Sequence, residues 1–215
     1  MEVLEYGNKS AQLVLLQPVD DHDLQLMESE TALLRENIGE EFCLFAFKIR
    51  DWNRELSPWK APAVFGKQEF GDGAEETLKE ILKYCEDRTR KYCIGGYSLA
   101  GLFALWAVYQ TDLFQGAAAA SPSVWFPGFA EYMKERRPKC THVYLSLGDK
   151  EEKTRNPVMA SVGDRIREAY ALLLKQDINC MLEWNAGNHF KDPDHRTARA
   201  FAWIVSQNRF CAHDS

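Results

Sequence analysis

The sequence predicts an α/β fold, a mostly parallel sheet with helices on both faces. Three observations predict it. Short strand-like runs alternate with helix-like segments along the chain, the pattern of repeated βα units. Several of those runs are apolar without alternation, as strands buried on both faces are. And 215 residues at 46% hydrophobic content are enough for one substantial core.

Taken in order, residues 11–17 (AQLVLLQ) read as a buried strand, broken by Pro18-Val19-Asp20-Asp21-His22-Asp23. Residues 24–35 are mixed and helical from about Ser29 onward, and residues 41–49 form an aromatic-rich second strand. Residues 50–73 have no period but carry Trp52, Pro58, Trp59, Pro62, Gly66, Gly71 and Gly73. A loop of that length in a compact fold is functional or disordered, and its aromatics argue for packing over the active edge of the sheet. An amphipathic helix follows at 74–85, a strand at 91–95, an apolar and therefore central helix at 99–109, and a strand at 114–120. Residues 141–147 are a further strand. Asn156-Pro157 caps a helix whose apolar positions run from Val158 to Leu173 at helical spacing. The last strand is 178–184 and the closing helix 194–206. There are no repeats, low-complexity tracts or linkers, so residues 1–215 read as a single domain.

Composition removes several function classes. Net charge is −6 with the basic residues scattered, which argues against a nucleic-acid face. No apolar run approaches the roughly 18 residues of a membrane span, and Met1-Glu2-Val3-Leu4-Glu5 lacks the basic and apolar regions of a secretion signal. The six cysteines (Cys43, Cys85, Cys93, Cys140, Cys180, Cys211) contain no CxxC pair. They read as reduced thiols of a cytoplasmic protein, not as a disulfide framework or metal site.

The stretch that carries chemistry is Tyr92-Cys93-Ile94-Gly95-Gly96-Tyr97-Ser98-Leu99-Ala100-Gly101, a strand entering a glycine pair, a serine at the corner and an apolar helix leaving it. A serine on so sharp a turn needs small neighbours two positions before and after, here Gly96 and Ala100. The plain alternative is a Gly-rich βα turn with an incidental serine. A serine hydroxyl becomes a nucleophile only beside a base that a third group holds in place. Ligands of open α/β sheets bind beyond the carboxyl ends of the strands, and there His189 lies in the Gly-rich loop after the last strand. His22, His142, His195 and His213 lie elsewhere. Asp149, Glu151 and Glu152 all follow the strand ending at Leu147 and remain open as the third group.

Four segments together carry a family resemblance: Gly95-Gly96-Tyr97-Ser98-Leu99-Ala100-Gly101, Ser121-Pro122-Ser123-Val124-Trp125, Leu147-Gly148-Asp149-Lys150-Glu151-Glu152 and Gly187-Asn188-His189-Phe190. In them the chain resembles small serine esterases of the α/β-hydrolase superfamily, in the esterase D and enterochelin-esterase-like group. The resemblance implies a single-domain α/β-hydrolase fold in which Ser98 is the nucleophile, His189 the base and Glu151, three residues beyond Gly148, the acid. Glu152 and Asp149 are the alternatives. It also implies an oxyanion hole made by the Leu99 amide and an amide after the first parallel strand. Pro18 has no N–H, which leaves Val19 or Asp20, with Val19 expected. The chain departs from the family in having Ala100 for the second glycine, no insertion for a separate lid domain, and no expected room for extra antiparallel strands at the start.

Trp52, Trp59, Trp125 and Trp184 fall on the presumed active edge, and Trp52 and Trp125 are expected to line a substrate pocket. Trp106 and Trp203 read as core. Arg50, Arg54 and Arg155 read as surface charges, with contact to an anionic substrate as the alternative. The expectation is a cytoplasmic serine hydrolase acting on small carboxylic esters, with no metal or other cofactor, no nucleic acid and no membrane. An acyltransferase or peptidase with the same triad, or a silent binding module, stays open, as do the substrate and the oligomeric state.

Overall fold

The computed structural model describes residues 1–64 and 66–210, with side chains up to 207. Its strands are β1 (Glu2–Gly7), β2 (Leu13–Val19), β3 (Phe42–Lys48), β4 (Lys91–Tyr97), β5 (Phe114–Ala120), β6 (His142–Gly148) and β7 (Asn179–Asn185). They form one sheet in the order β1-β3-β2-β4-β5-β6-β7. β1 runs antiparallel to β3 and every other pair is parallel. The helices are α1 (Asp21–Ile38), α2 (Trp52–Glu55), α3 (Ala74–Leu82), α4 (Ser98–Gln110), α5 (Phe129–Glu135), α6 (Pro157–Ala160), α7 (Val162–Lys175) and α8 (Pro193–Phe210).

The apolar strands divide their side chains between two cores. Val14 and Leu16 of β2 join the core under α3, α4, α5 and α7, whereas Leu15 and Val19 join the core under α1 and α8. That two-sided burial explains why β2 shows no polar alternation. Small residues in the central strands let α8 lie close to the sheet. A Cβ on Gly95 would come within 2.5 Å of the Phe201 ring, and one on Gly116 within 2.8 Å of Ile204. Close seating of α8 fixes the height of its first turns at the sheet's carboxyl edge.

Several sequence expectations need correction. The chain does begin with an antiparallel strand, β1, in register from Glu2 opposite Lys48 to Gly7 opposite Cys43. Its half-exposed edge position gave it too little apolar pattern to be read. β2 is not ended by Pro18. Ile49 donates its N–H to the Val19 carbonyl on the β3 side, so the alternate residue Pro18 turns its missing donor toward β4, where pairing has already stopped at Leu16 opposite Ile94. α1 starts at Asp21, eight residues before the expected Ser29, because Asp20 and Asp23 form a reciprocal capping box. α2 and α5 were not expected, and α5 starts from the left-handed Gly128. The helix expected from Asn156 divides at Ser161, whose hydroxyl bonds the Val158 carbonyl at 2.6 Å. Cys43, Cys85, Cys93, Cys140 and Cys180 are buried free thiols, while Cys211 and His213 lie outside the described residues.

Candidate active site

β4 delivers the chain to a turn at which Ser98 holds φ of 56°, a left-handed conformation that a side chain adopts only where its surroundings enforce it. The enforcement is visible in the glycines. A Cβ on Gly96 would meet the Ala100 methyl at 2.7 Å, and one on Gly101 would meet the Gly96 carbonyl oxygen at 3.0 Å. The two small neighbours of Ser98 therefore touch each other across the turn. Tyr97, the N-cap of α4, offers its helix no side-chain cap. The first-turn amides, that of Leu99 among them, thus have no intrahelical acceptor.

His189 follows β7 and closes onto the turn. Its Nε2 lies 3.0 Å from Ser98 Oγ, and its Nδ1 lies 2.7 Å from Glu151 Oε2. Of the three acids after β6, only Glu151 reaches the imidazole. Asp149 accepts the Gly187 N–H at 2.8 Å, and Glu152 stands 3.6 Å from Arg167. Asp149 thereby ties down the loop that carries His189.

The second carboxylate oxygen, Glu151 Oε1, accepts three bonds: from the Gly148 N–H at 2.7 Å, the Ser121 hydroxyl at 2.8 Å and Arg196 Nη1 at 2.9 Å. Burial raises the Glu151 pKa, but the His189 imidazole, the Gly148 amide and the Ser121 hydroxyl outweigh it. The carboxyl ends below its ordinary value and is ionised. Oε1 is saturated by the protein, which leaves Oε2 to the imidazole.

Sequence reasoning missed Arg196, Tyr97, Ser121 and Ser123 as parts of this arrangement. Arg196, on α8, also contacts the Tyr97 and Ser121 hydroxyls at 3.0 and 3.1 Å and donates to the Asn188 carbonyl at 3.1 Å. Tyr97 in turn donates to the His189 carbonyl at 2.8 Å. Ser121 is held at φ of 42°. Ser123 donates its N–H to the Ser98 carbonyl at 3.0 Å and sets its hydroxyl 3.4 Å from Ser98 Oγ. The Ser-Pro-Ser-Val-Trp segment was a signal for the two serines. Arg196 had none, being a helical arginine 45 positions from its carboxylate.

No family model and no curated protein sequence matches the chain. Solved structures do match it. An IroE-like serine hydrolase from Shewanella oneidensis superposes with a TM-score of 0.75 at 14% identity, over 96% of this chain and 75% of that one. The siderophore hydrolase EstA from Aspergillus nidulans gives 0.62 at 21% identity, over 94% and 84%. A Bacillus cereus carboxylesterase gives 0.60 at 17%, over 96% and 94%. The fold is that of the α/β-hydrolases.

In this α/β-hydrolase fold a cavity of about 390 Å³ opens over Ser98 and His189. Trp52, Phe70, Leu99, Trp125, Met159 and Val162 form an apolar part of its wall. Trp52 belongs to the long segment before α3, which does lie over the carboxyl edge of the sheet. A smaller cleft of about 160 Å³ adjoins it, shares Trp52, Ser98, His189 and Phe190, and is walled by Asp20, His22 and Asp23. Trp59 lines neither; its Nε1 donates to the Pro127 carbonyl at 2.9 Å and its ring packs on Phe126. Trp184 stacks under Arg167 instead. Arg50 and Arg54 line a separate surface cleft, and Arg155 lines neither cavity. His142 is buried at the amino end of β6.

The expected oxyanion donor Val19 is not brought to Ser98. Its carbonyl accepts from Ile49 and Val19 pairs with Lys48. In a parallel ladder the amide of such a residue is directed to the same neighbour, here β3, which lies on the far side of β2 from β4. The next residue, Asp20, faces the other way and lines the smaller cleft; its N–H makes a long 3.3 Å bond to the Asp23 carboxylate.

Proposed function

We propose that this chain is a serine hydrolase that cleaves small carboxylic esters through Ser98, His189 and Glu151. The observation that carries the reading is the unbroken line of contacts from Ser98 Oγ through both imidazole nitrogens to an ionised, buried carboxylate. His189 takes the Ser98 proton as the hydroxyl attacks the ester carbonyl, and returns it to the departing alcohol. Glu151 fixes the tautomer with Nε2 facing the serine and stabilises the imidazolium. Water then attacks the acyl-enzyme, His189 again serving as base and then acid, and the carboxylic acid leaves. The Leu99 amide, at the positive end of α4, and the Asp20 amide are assigned to the oxyanion.

The wall of Trp52, Phe70, Trp125, Met159 and Val162 suits an apolar acyl or aryl group of the ester. Likeness to solved esterases and siderophore hydrolases supports the reaction class, and residues 1–215 are read as one domain. No described helix is long and apolar enough to cross a membrane. Together with the buried free thiols, that supports a cytoplasmic location.

Ser98→Ala tests the reading. The variant is expected to lose hydrolysis of p-nitrophenyl acetate and labelling by a fluorophosphonate probe, with an unchanged circular dichroism spectrum. Retention of either activity by the folded variant overturns the assignment.

A further inference from the structure

The least expected group at this site is a cation. Arg196 has a side chain only 3% exposed, and the Glu151 side chain it faces is 4% exposed. A fully desolvated ion pair is a poor device for stability, because desolvation of both ions offsets most of their attraction. An arginine there needs another explanation, and its contacts supply one. A single nitrogen, Nη1, reaches Glu151, the Ser121 hydroxyl and the Tyr97 hydroxyl, while Nη2 donates to the Asn188 carbonyl beside His189. The planar fork thus ties together the serine turn, the acid and the histidine loop, which come from three separate stretches of chain.

We propose that Arg196 is a positioning residue for Glu151 and His189, and that its charge sets the pH range in which His189 is a free base. The proposal rests on the reading of Ser98, His189 and Glu151 given above. A triad carboxylate standing alone would favour imidazolium strongly. With a guanidinium on its other oxygen, the carboxylate is already neutralised when the imidazole takes up a proton, and the protonated cluster of arginine, glutamate and histidine carries a net positive charge. Protonation of the pair is therefore disfavoured, and His189 stays available to the serine at lower pH.

Other charged groups also face His189. Tyr97 approaches from the end of β4, with burial pushing its hydroxyl up to about 12. Asp20, His22 and Asp23 lie across the smaller cleft at the start of α1. Lys191 and Asp192 follow on its own loop, and Asp149 is bonded to the Gly187 N–H. Tyr97 alone among these is bonded to the Arg196 guanidinium; Arg196→Lys and Arg196→Met both lose the fork, so the difference between them isolates the charge.

The test compares pH profiles of kcat/KM for p-nitrophenyl acetate in the wild type, Arg196→Lys and Arg196→Met. Arg196→Lys keeps the charge but not the fork. It is expected to lose about ten-fold on the plateau while the acid limb stays within roughly 0.3 pH unit of the wild type. Arg196→Met is expected to move the acid limb up by at least about one pH unit, the effect of removing a charge within about 12 Å at an effective dielectric constant near 20. A purely structural arginine would lower the plateau in both variants and leave the limb in place, and that result overturns the proposal.

A second measurement needs no turnover and no folded Arg196 variant. It is an NMR titration of the His189 imidazole in Glu151→Gln, where the arginine charge is uncompensated. The imidazole is expected to titrate at least one unit below the free value of about 6.5. Titration at or above that value refutes the electrostatic role. This readout stands even if Ser98→Ala shows that the chain hydrolyses no ester.

Discussion

Two regions of the molecule bury a glutamate, and they treat it in opposite ways. At the carboxyl end of β6, Glu151 is met by an amide, a hydroxyl, a guanidinium and an imidazole, and its pKa falls. Under the amino-terminal half of the sheet, Glu30 of α1 receives one bond, from Gln17 Nε2 at 3.2 Å. Its other oxygen, Gln17 Oε1 and the Thr31 hydroxyl have no partner among the described residues. Burial dominates there, Asp23 and Asp194 add repulsion, and the Glu30 pKa rises to about 8. Burial is common to both sites. The donor set decides whether the group keeps its charge or its proton.

The comparison can be broken most directly at Glu151. Glu151→Gln leaves the shape but removes the charge and the acceptor that selects the tautomer. Ester hydrolysis is expected to fall by about 10³- to 10⁴-fold, and the melting temperature to drop as well, because the buried Arg196 charge loses its counter-ion. A variant with near-normal kcat would show that the ionised state of this glutamate is incidental.

At Glu30 the expected effect is on stability. Its folded pKa of about 8 lies above the ordinary 4.5, so the folded state holds a proton that the unfolded state has released between those values. The stabilisation is complete below about pH 4.5 and is lost as pH rises to about 8. Glu30→Gln, which cannot ionise, is expected to flatten the fall in melting temperature across that window and to melt several degrees above the wild type at pH 8. Parallel melting curves for the two proteins would place the glutamate's charge elsewhere.

Asp23 sharpens the same contrast on a smaller scale. Burial, then repulsion from Asp20, raises its pKa from 3.8 to about 6, against the hydrogen bond from the Asp20 amide. The sign matches that of Glu30, with stability lost as pH rises between those values. Asp23→Asn is expected to remove a change of only a few degrees at most in thermal melts between pH 4 and 6. An unaltered slope there would mean that the capping bond, not burial, sets this group.

Much of the fold is legible in the sequence. Each strand from β2 to β7 and the central helix α4 announce themselves, because two-sided burial forces apolar runs and a serine turn forces small neighbours. Elements with weak patterning were not legible. β1 is a half-exposed edge, α2 and α5 are short, and the early start of α1 depends on a capping box read across acidic residues. At the site, Ser98, Leu99 and His189 are placed by local rules, each at the end of a strand.

Tertiary structure alone decided the rest. Asp149, Glu151 and Glu152 are equivalent as residues in a loop, and only the packed turn sends one to an imidazole, one to an amide and one to an arginine on α7. Val19 and Asp20 are consecutive at the end of β2, yet the ladder commits the Val19 amide to β3 while Asp20 turns out of the ladder to cap α1 with Asp23. Arg196 carries no local signal because its partners are brought to it by how closely α8 seats on Gly95 and Gly116. Local sequence sets which residues stand at the ends of strands; where their polar atoms point is a property of the assembled sheet.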